Sequence, residues 1–282
     1  MSHSIFPRSI VKNLLTRSLP DSKHYVNNGK KRVIVFAPHQ DDETLGCGGA
    51  IRQKIDAGQK VSVVFLADGS TSHARFLPGN ELAEIRKEEA IEACGILGVS
   101  QEWIHFLEIP DGSLSEVRQS AVSNVENIIE EYRPEEIFVP FRFDVNPDHI
   151  ATNQIVYKAL TNTQHSCVIF EYPVWFWFHW PWISFSTLER HYYKLWAGNS
   201  LKTGLGFLGP RYFNTSLEIT DVLEYKKKAL SKHKTQMTKP NNQTEWPVLG
   251  EIAQGDFLDC FLGDREYYFR HEYKFNGKGR NL

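Results

Sequence analysis

Short apolar runs alternate with segments of helical apolar spacing along most of this chain. Val33–Ala37 is rich in β-branched residues, free of charge and closed by Pro38, the pattern of a strand buried on both faces. The pattern returns at Val61–Ala67, Trp103–Ile109, Ile137–Pro140 and Cys167–Val174. Between these runs, Glu43–Ala57, Asn80–Leu97, Leu114–Tyr132 and Ile150–Leu160 read as helices. Asn80–Leu97 is the clearest, with Leu82, Ile85, Ala90, Ile91, Ala93 and Ile96 set against a charged face. Strand–helix alternation predicts an α/β fold with a mainly parallel sheet, Val33–Ala37 central and helices on both faces. Residues 31–275 read as one domain with a small C-terminal extension. Residues 1–30, polar, basic and short of aromatics, read as a flexible segment or a loosely attached helix, and 276–282 as a frayed tail.

The first strand runs directly into Pro38-His39-Gln40-Asp41-Asp42-Glu43. A strand that ends this way delivers an imidazole and two carboxylates to the carboxyl edge of the sheet, where open α/β folds hold their ligands. His39 and Asp42 are spaced so that one turn can aim both at a divalent ion. Asp41 lies between them, free to handle a proton. An Asp opening a helix is by default an N-cap or a partner of the helix dipole, so the motif needs a second cluster. Phe141-Arg142-Phe143-Asp144-Val145-Asn146-Pro147-Asp148-His149 supplies it, again between an apolar run and a helix. Two strand-to-helix turns of one parallel sheet lie on the same edge, so His39, Asp42 and His149 can converge. Two neutral imidazoles and one carboxylate are the donor set of a catalytic zinc site with a position open to water.

With these residues in view, the chain resembles the LmbE-like, PIG-L-type zinc-dependent de-N-acetylases. The resemblance rests on Ala37 to Glu43 with Leu45-Gly46-Cys47-Gly48-Gly49, and on Asn146-Pro147-Asp148-His149. Ala67-Asp68-Gly69, Arg86 with Glu89, Pro110-Asp111-Gly112, and Lys228-Ala229-Leu230 through Gln236 follow in the family's order. It implies a Rossmann-like fold and a metal held by His39, Asp42 and His149, with Asp41 as general base. The ion expected is Zn²⁺, with Fe²⁺ or another divalent ion as alternatives. The expected activity is hydrolysis of the N-acetyl group of an N-acetylglucosamine-type sugar, free or lipid-linked. Arg86 is either a substrate contact of the kind the family keeps near the sugar or a structural ion pair with Glu89. Asp111 is either a turn residue or a hydroxyl acceptor. Asn146 departs from relatives that carry His-Pro-Asp-His. An amide donates a hydrogen bond to an oxyanion but delivers no proton at neutral pH, so amine protonation falls to Asp41, or to a group such as Asp144 or Asp148.

Composition narrows the field. At 282 residues with 41% apolar content the chain can build a sizeable core, and a net charge of −2 gives no nucleic-acid footprint. Cys47, Cys94, Cys167 and Cys260 lack C-x-x-C spacing and read as reduced thiols. Met1 to Pro7 shows no secretory pattern, and no run is long enough to span a membrane, so the expectation is a cytoplasmic protein, with a homo-oligomer left open.

Several features invite over-reading. The glycines of Gly46-Cys47-Gly48-Gly49 sit too far past the strand for a dinucleotide fingerprint, so close helix packing is expected. Asp68-Gly69-Ser70 reads as a turn and His73 as a surface histidine. The aromatic run Tyr172 to Phe185 leaves three readings open: subdomain core, a wall for a sugar face, or an interfacial patch. Two rival functions remain: a non-haem Fe(II) oxygenase, which shares the two-His, one-carboxylate set but on an antiparallel barrel, and a glycan-binding module with weak or no hydrolase activity.

Overall fold

A computed structural model describes residues 8–19, 30–116, 118–240 and 243–275. Five parallel strands form its centre: β1 (Arg32–Ala37), β2 (Lys60–Ala67), β3 (Ile104–Ile109), β4 (Glu136–Pro140) and β5 (Cys167–Tyr172). Two antiparallel strands, β6 (Thr215–Glu218) and β7 (Arg265–Tyr273), extend it to seven in the order β3-β2-β1-β4-β5-β7-β6. β1 is the middle strand of the parallel set. The order reverses between β1 and β4, and the crevice at such a switch point is where doubly wound sheets take ligands.

Side-chain alternation on each strand assigns the two faces. Val33 and Val35 of β1, with Val63, Phe65 and Phe138, pack into one core with α2 (Asp42–Asp56), α3 (Gly79–Leu97) and the helix Leu223–Leu230. Ile34, Phe36, Val64, Ile137 and Ile169 pack into the other with α4 (Arg118–Tyr132) and α5 (Pro147–Asn162). The glycines of α2 are where that helix is pressed closest. A Cβ on Gly46 would stand 2.2 Å from the Tyr172 ring, and one on Gly49 would stand 2.3 Å from Ile219. Close packing is therefore their role, as expected.

Element limits depart from the sequence reading where local chemistry intervenes. The third strand starts at Ile104 because Gln101–Trp103 form a 3₁₀ turn. The following helix starts at Arg118 rather than Leu114, after turns that include Gly112 at φ 85°. α5 begins at Pro147, three residues before Ile150, because proline suits the first helical position and Asn146 caps it. The fifth strand stops at Tyr172, since Pro173 has no N–H for the ladder. β6 and β7 were not anticipated.

Arg8–Ser18 forms helix α1, with Val11 and Leu15 buried and Arg8 paired to Asp256 at 2.8 Å. Residues 1–7, 20–29 and the expected tail at 276–282 lie outside the described residues. Of the aromatic run, Tyr172, Phe176, Trp177, Phe178 and Trp182 are core, while Phe185 is exposed. The four cysteines are free, and no helix among the described residues is long and apolar enough to cross a membrane.

Candidate metal centre and cleft

The turn after β1 and the start of α5 bring His39, Asp42 and His149 together at the carboxyl edge of the sheet. Nδ1 of His39 and Nε2 of His149 each lie 3.2 Å from the same oxygen, Oδ2 of Asp42. Nε2 of His149 is fully buried and makes no hydrogen bond, although a carboxylate stands beside it. The opposite nitrogen of each ring is held by carboxylates. Nε2 of His39 is 3.1 Å from Asp111 Oδ1 and 3.3 Å from Asp148 Oδ2, and Nδ1 of His149 is 3.2 Å from Asp144 Oδ2. Rings oriented by carboxylates from behind, with the free nitrogens facing a third donor, are the arrangement of carboxylate–histidine–metal sites.

The electrostatics favour a positive charge at this point. Burial pushes the His149 imidazole down, but Asp42 and Asp144 outweigh it and raise it to about 9. Burial opposes protonation of His39 too, yet contacts with Asp111, Asp148 and Asp42 hold it well above the usual imidazole range. Burial would raise the Asp42 carboxyl, and the two imidazoles instead hold it far below the usual range. A divalent cation supplies the charge that the carboxylates call for while leaving both imidazoles neutral, so the donor set fits a metal. His39, Asp111 and Asp148 form a second cluster of donors. There Asp148 Oδ2 already accepts from Gly112 N at 2.8 Å and Asp111 Oδ2 from Thr71 Oγ1 at 2.8 Å, which fits the orienting role better.

Asp41 stands beside this cluster and makes no side-chain cap bond to α2. Its backbone is strained, at φ 140°, a conformation that persists only where the surroundings enforce it. Glu43 enforces it from within: Oε2 accepts the Asp41 N–H at 2.9 Å, while Oε1 meets Nε2 of buried His233 at 2.9 Å. Burial raises the Asp41 carboxyl to about 6, against the pull of Arg86. Arg86 is buried and not paired with Glu89. It donates to Gln40 O at 2.6 Å and Ser72 Oγ at 3.1 Å, with Nη2 lying 3.6 Å from Asp41 Oδ1. Glu89 turns instead to Thr235, accepting from its N–H at 2.9 Å and its hydroxyl at 2.7 Å. The Asp68-Gly69-Ser70 turn allows this approach. Gly69 has φ 70°, and a Cβ there would stand 2.7 Å from Arg86 Nη1.

His39, Asp41, Asp42, Arg86, Asp111 and Asn146 all line one cleft of about 240 Å³, with His149 buried behind it. The Asn146 Oδ1 accepts from Asp148 N at 2.8 Å, which leaves its amide donor for the cleft. Asp111 is neither a simple turn residue nor a free acceptor, because both oxygens are taken by His39 and Thr71. Val174, Trp175, Leu249 and Phe257 make the apolar wall, so one ring of the aromatic run does face the cleft. His73 is a correction: it is 3% exposed, with Nε2 2.9 Å from Pro247 O and its ring stacked on Trp246. The orienting contacts of Asp144 and Asp148, the Glu43–His233 pair and the place of Gln236 in the cleft lining were not foreseen.

Residues 34–160 match the family described as GlcNAc-PI de-N-acetylase, PIG-L. These residues form a PIG-L-family domain. The chain is 28% identical over 239 residues to a diacetylchitobiose deacetylase of Thermococcus kodakarensis, covering 80% of this chain and 78% of that one. It is 30% identical to a probable N-acetyl-alpha-D-glucosaminyl L-malate deacetylase 2 of Bacillus cereus, over 47% of this chain and 62% of that one. In structure it resembles N,N'-diacetylchitobiose deacetylase from Pyrococcus horikoshii, with TM-score 0.62, 21% identity, and coverage of 97% and 95%. The PIG-L stretch contains His39, Asp41, Asp42 and His149, whereas Val174, Trp175, Gln236, Leu249 and Phe257 lie beyond it. Segments outside the PIG-L match thus complete the cleft of this PIG-L domain.

Proposed function

We propose that this chain is a metal-dependent amide hydrolase that removes the acetyl group from an N-acetylglucosamine-type sugar or glycoconjugate. His39, Asp42 and His149 hold the ion, which we assign as zinc. The observation that carries the reading is the convergence of His39 Nδ1 and His149 Nε2 on Asp42 Oδ2, with Asp41 on the cleft wall beside them. Relatives named as deacetylases of N-acetyl sugars support the substrate class.

Bound there, a divalent ion acidifies water and polarises the acetamide carbonyl. The residues do the rest. Asp41, raised to about 6 by burial, is near the proton affinity that suits a base working around neutrality. Arg86 keeps that carboxylate from rising further and fixes the turn that carries it. The Asn146 amide, oriented by its cap bond, donates to the developing oxyanion. Since Asn146 cannot deliver a proton, Asp41 returns the one it has taken to the departing amine. Asp144 and Asp148 are committed to the backs of the imidazoles. The apolar wall at Trp175 and Phe257 offers a face to the sugar ring.

A glycan-binding protein with weak hydrolysis is the second reading, favoured by Asn146 where relatives carry histidine. Acetate release from N,N'-diacetylchitobiose and simple N-acetylglucosaminides, measured with metal content, separates the two. We expect acetate from the zinc-loaded protein and none after chelation. Sugar binding without acetate release would favour the second reading.

A further inference from the structure

Large apolar side chains stand in solvent on two touching segments far from the metal cluster in sequence. Ile10 and Leu14, one turn apart on α1, are 51% and 62% exposed. Helix α6 (Tyr193–Lys202) and the turns after it expose Leu195, Leu201, Leu205 and Phe207 by 39%, 77%, 47% and 63%. The segments meet at Gly206, where a Cβ would stand 3.2 Å from Leu15 on the buried side of α1. Singly exposed apolar residues are ordinary, but several on adjoining elements mark an interaction surface.

The charge around them is mainly positive, although Asp256 pairs with Arg8. α1 carries Arg8, Lys12 and Arg17 with no acid, and residues 190–217 carry Arg190, Lys194, Lys202 and Arg211 with no Asp or Glu. This is not a trend of the whole chain, whose net charge is −2. Arg8 is taken by Asp256, while Arg17, Lys194, Lys202 and Arg211 are exposed.

We propose that this patch docks the protein on an anionic lipid surface. Apolar side chains entering the headgroup boundary, with cations at their edges, are what an anionic bilayer attracts. A second copy fits less well, because an isologous contact would press one cationic face against its equal. A nucleic acid would leave the apolar chains in water. The segment that carries Arg211 also touches the loop that carries Asn146. Phe143, 54% exposed and in the loop that carries Asn146, packs its ring 5.3 Å from Tyr212, next to Arg211. The docking does not depend on the deacetylase reading.

Co-sedimentation of the full chain with vesicles of phosphatidylcholine, with and without phosphatidylglycerol, tests it. We expect binding to the anionic vesicles, at least about tenfold weaker binding to the neutral ones, and loss with added salt. Leu201→Ser with Phe207→Ser, and separately Lys202→Glu with Arg211→Glu, should each weaken binding by at least about tenfold. Circular dichroism should show both to be folded. The proposal is overturned by absent binding to anionic vesicles, by equal binding to both vesicle types, or by wild-type binding in both folded variants. A dimer that the Leu201→Ser, Phe207→Ser protein loses, with no vesicle binding, would assign the patch to a second copy and equally overturn it.

Discussion

Nη2 of Arg86 lies 3.6 Å from Oδ1 of Asp41 while holding the carbonyl of the preceding residue, Gln40, at 2.6 Å. The guanidinium thus grips the backbone that presents the carboxylate as well as the carboxylate itself. The Asp41 side chain caps nothing, which leaves its carboxylate open to the proton transfer proposed for it.

Asp41→Asn follows directly from that relationship. As a base, Asp41 should account for about 10²–10⁴ in turnover. The loss should be larger if it also returns the proton to the amine. Zinc content and substrate affinity should be retained. A helix cap would tolerate Asn fully, so near-normal acetate release from the mutant would refute the assignment.

Asn146 caps α5 and, in the proposed mechanism, donates to the oxyanion; substitution can separate the two tasks. Asn146→Asp keeps the cap on α5 but replaces the amide donor by an acceptor. Stability should change by less than about 0.5 kcal/mol, while kcat should fall by about 10²–10³. Asn146→Ala should lose both, with about 1 kcal/mol of stability. If the Asp variant turned over at the wild-type rate, the oxyanion role would be lost.

How far these roles were visible in the sequence depends on whether the partners are local. The convergence of His39, Asp42 and His149 was legible because strand ends and helix starts fix where they emerge. Arg86 left two readings open, a substrate contact or an ion pair with Glu89 one turn away, whereas its hydrogen-bond partners belong to residues 40, 69 and 72. His73 misled for the same reason, since Pro247 and Trp246 complete its site from the far end of the chain. β7 escaped because Arg265, Glu266, Arg270, His271 and Glu272 break its apolar alternation. Its pairing with β5 and β6, rather than its own pattern, makes it a strand.

The carboxylates behind the imidazoles give a test of the metal assignment. His149→Ala should abolish stoichiometric zinc. Asp144→Asn should weaken metal affinity by about 10–100-fold, because Nδ1 of His149 loses its carboxylate partner. Titration with a competing chelator reads both. Wild-type affinity in the His149→Ala protein would place the ion elsewhere.

His179 sets a pH limit on stability that is separate from the chemistry. It is fully buried within the aromatic run, with Nδ1 2.5 Å from the Phe176 carbonyl and Nε2 without a partner. Burial, partly offset by that bond, lowers it to about 4, so the folded protein holds it neutral where the unfolded chain protonates. Stability from this group is full above about pH 6.5 and is lost as pH falls toward 4, by about 3 kcal/mol in all. His39 and His149 shift in the opposite sense, so the wild type alone cannot isolate the effect. His179→Gln can, because it removes the titration and leaves the metal cluster unchanged. Urea unfolding at pH 7.5 and pH 5 should show a stability fall about 2 kcal/mol smaller in the variant than in the wild type. An identical fall in both proteins would mean that His179 does not govern acid stability.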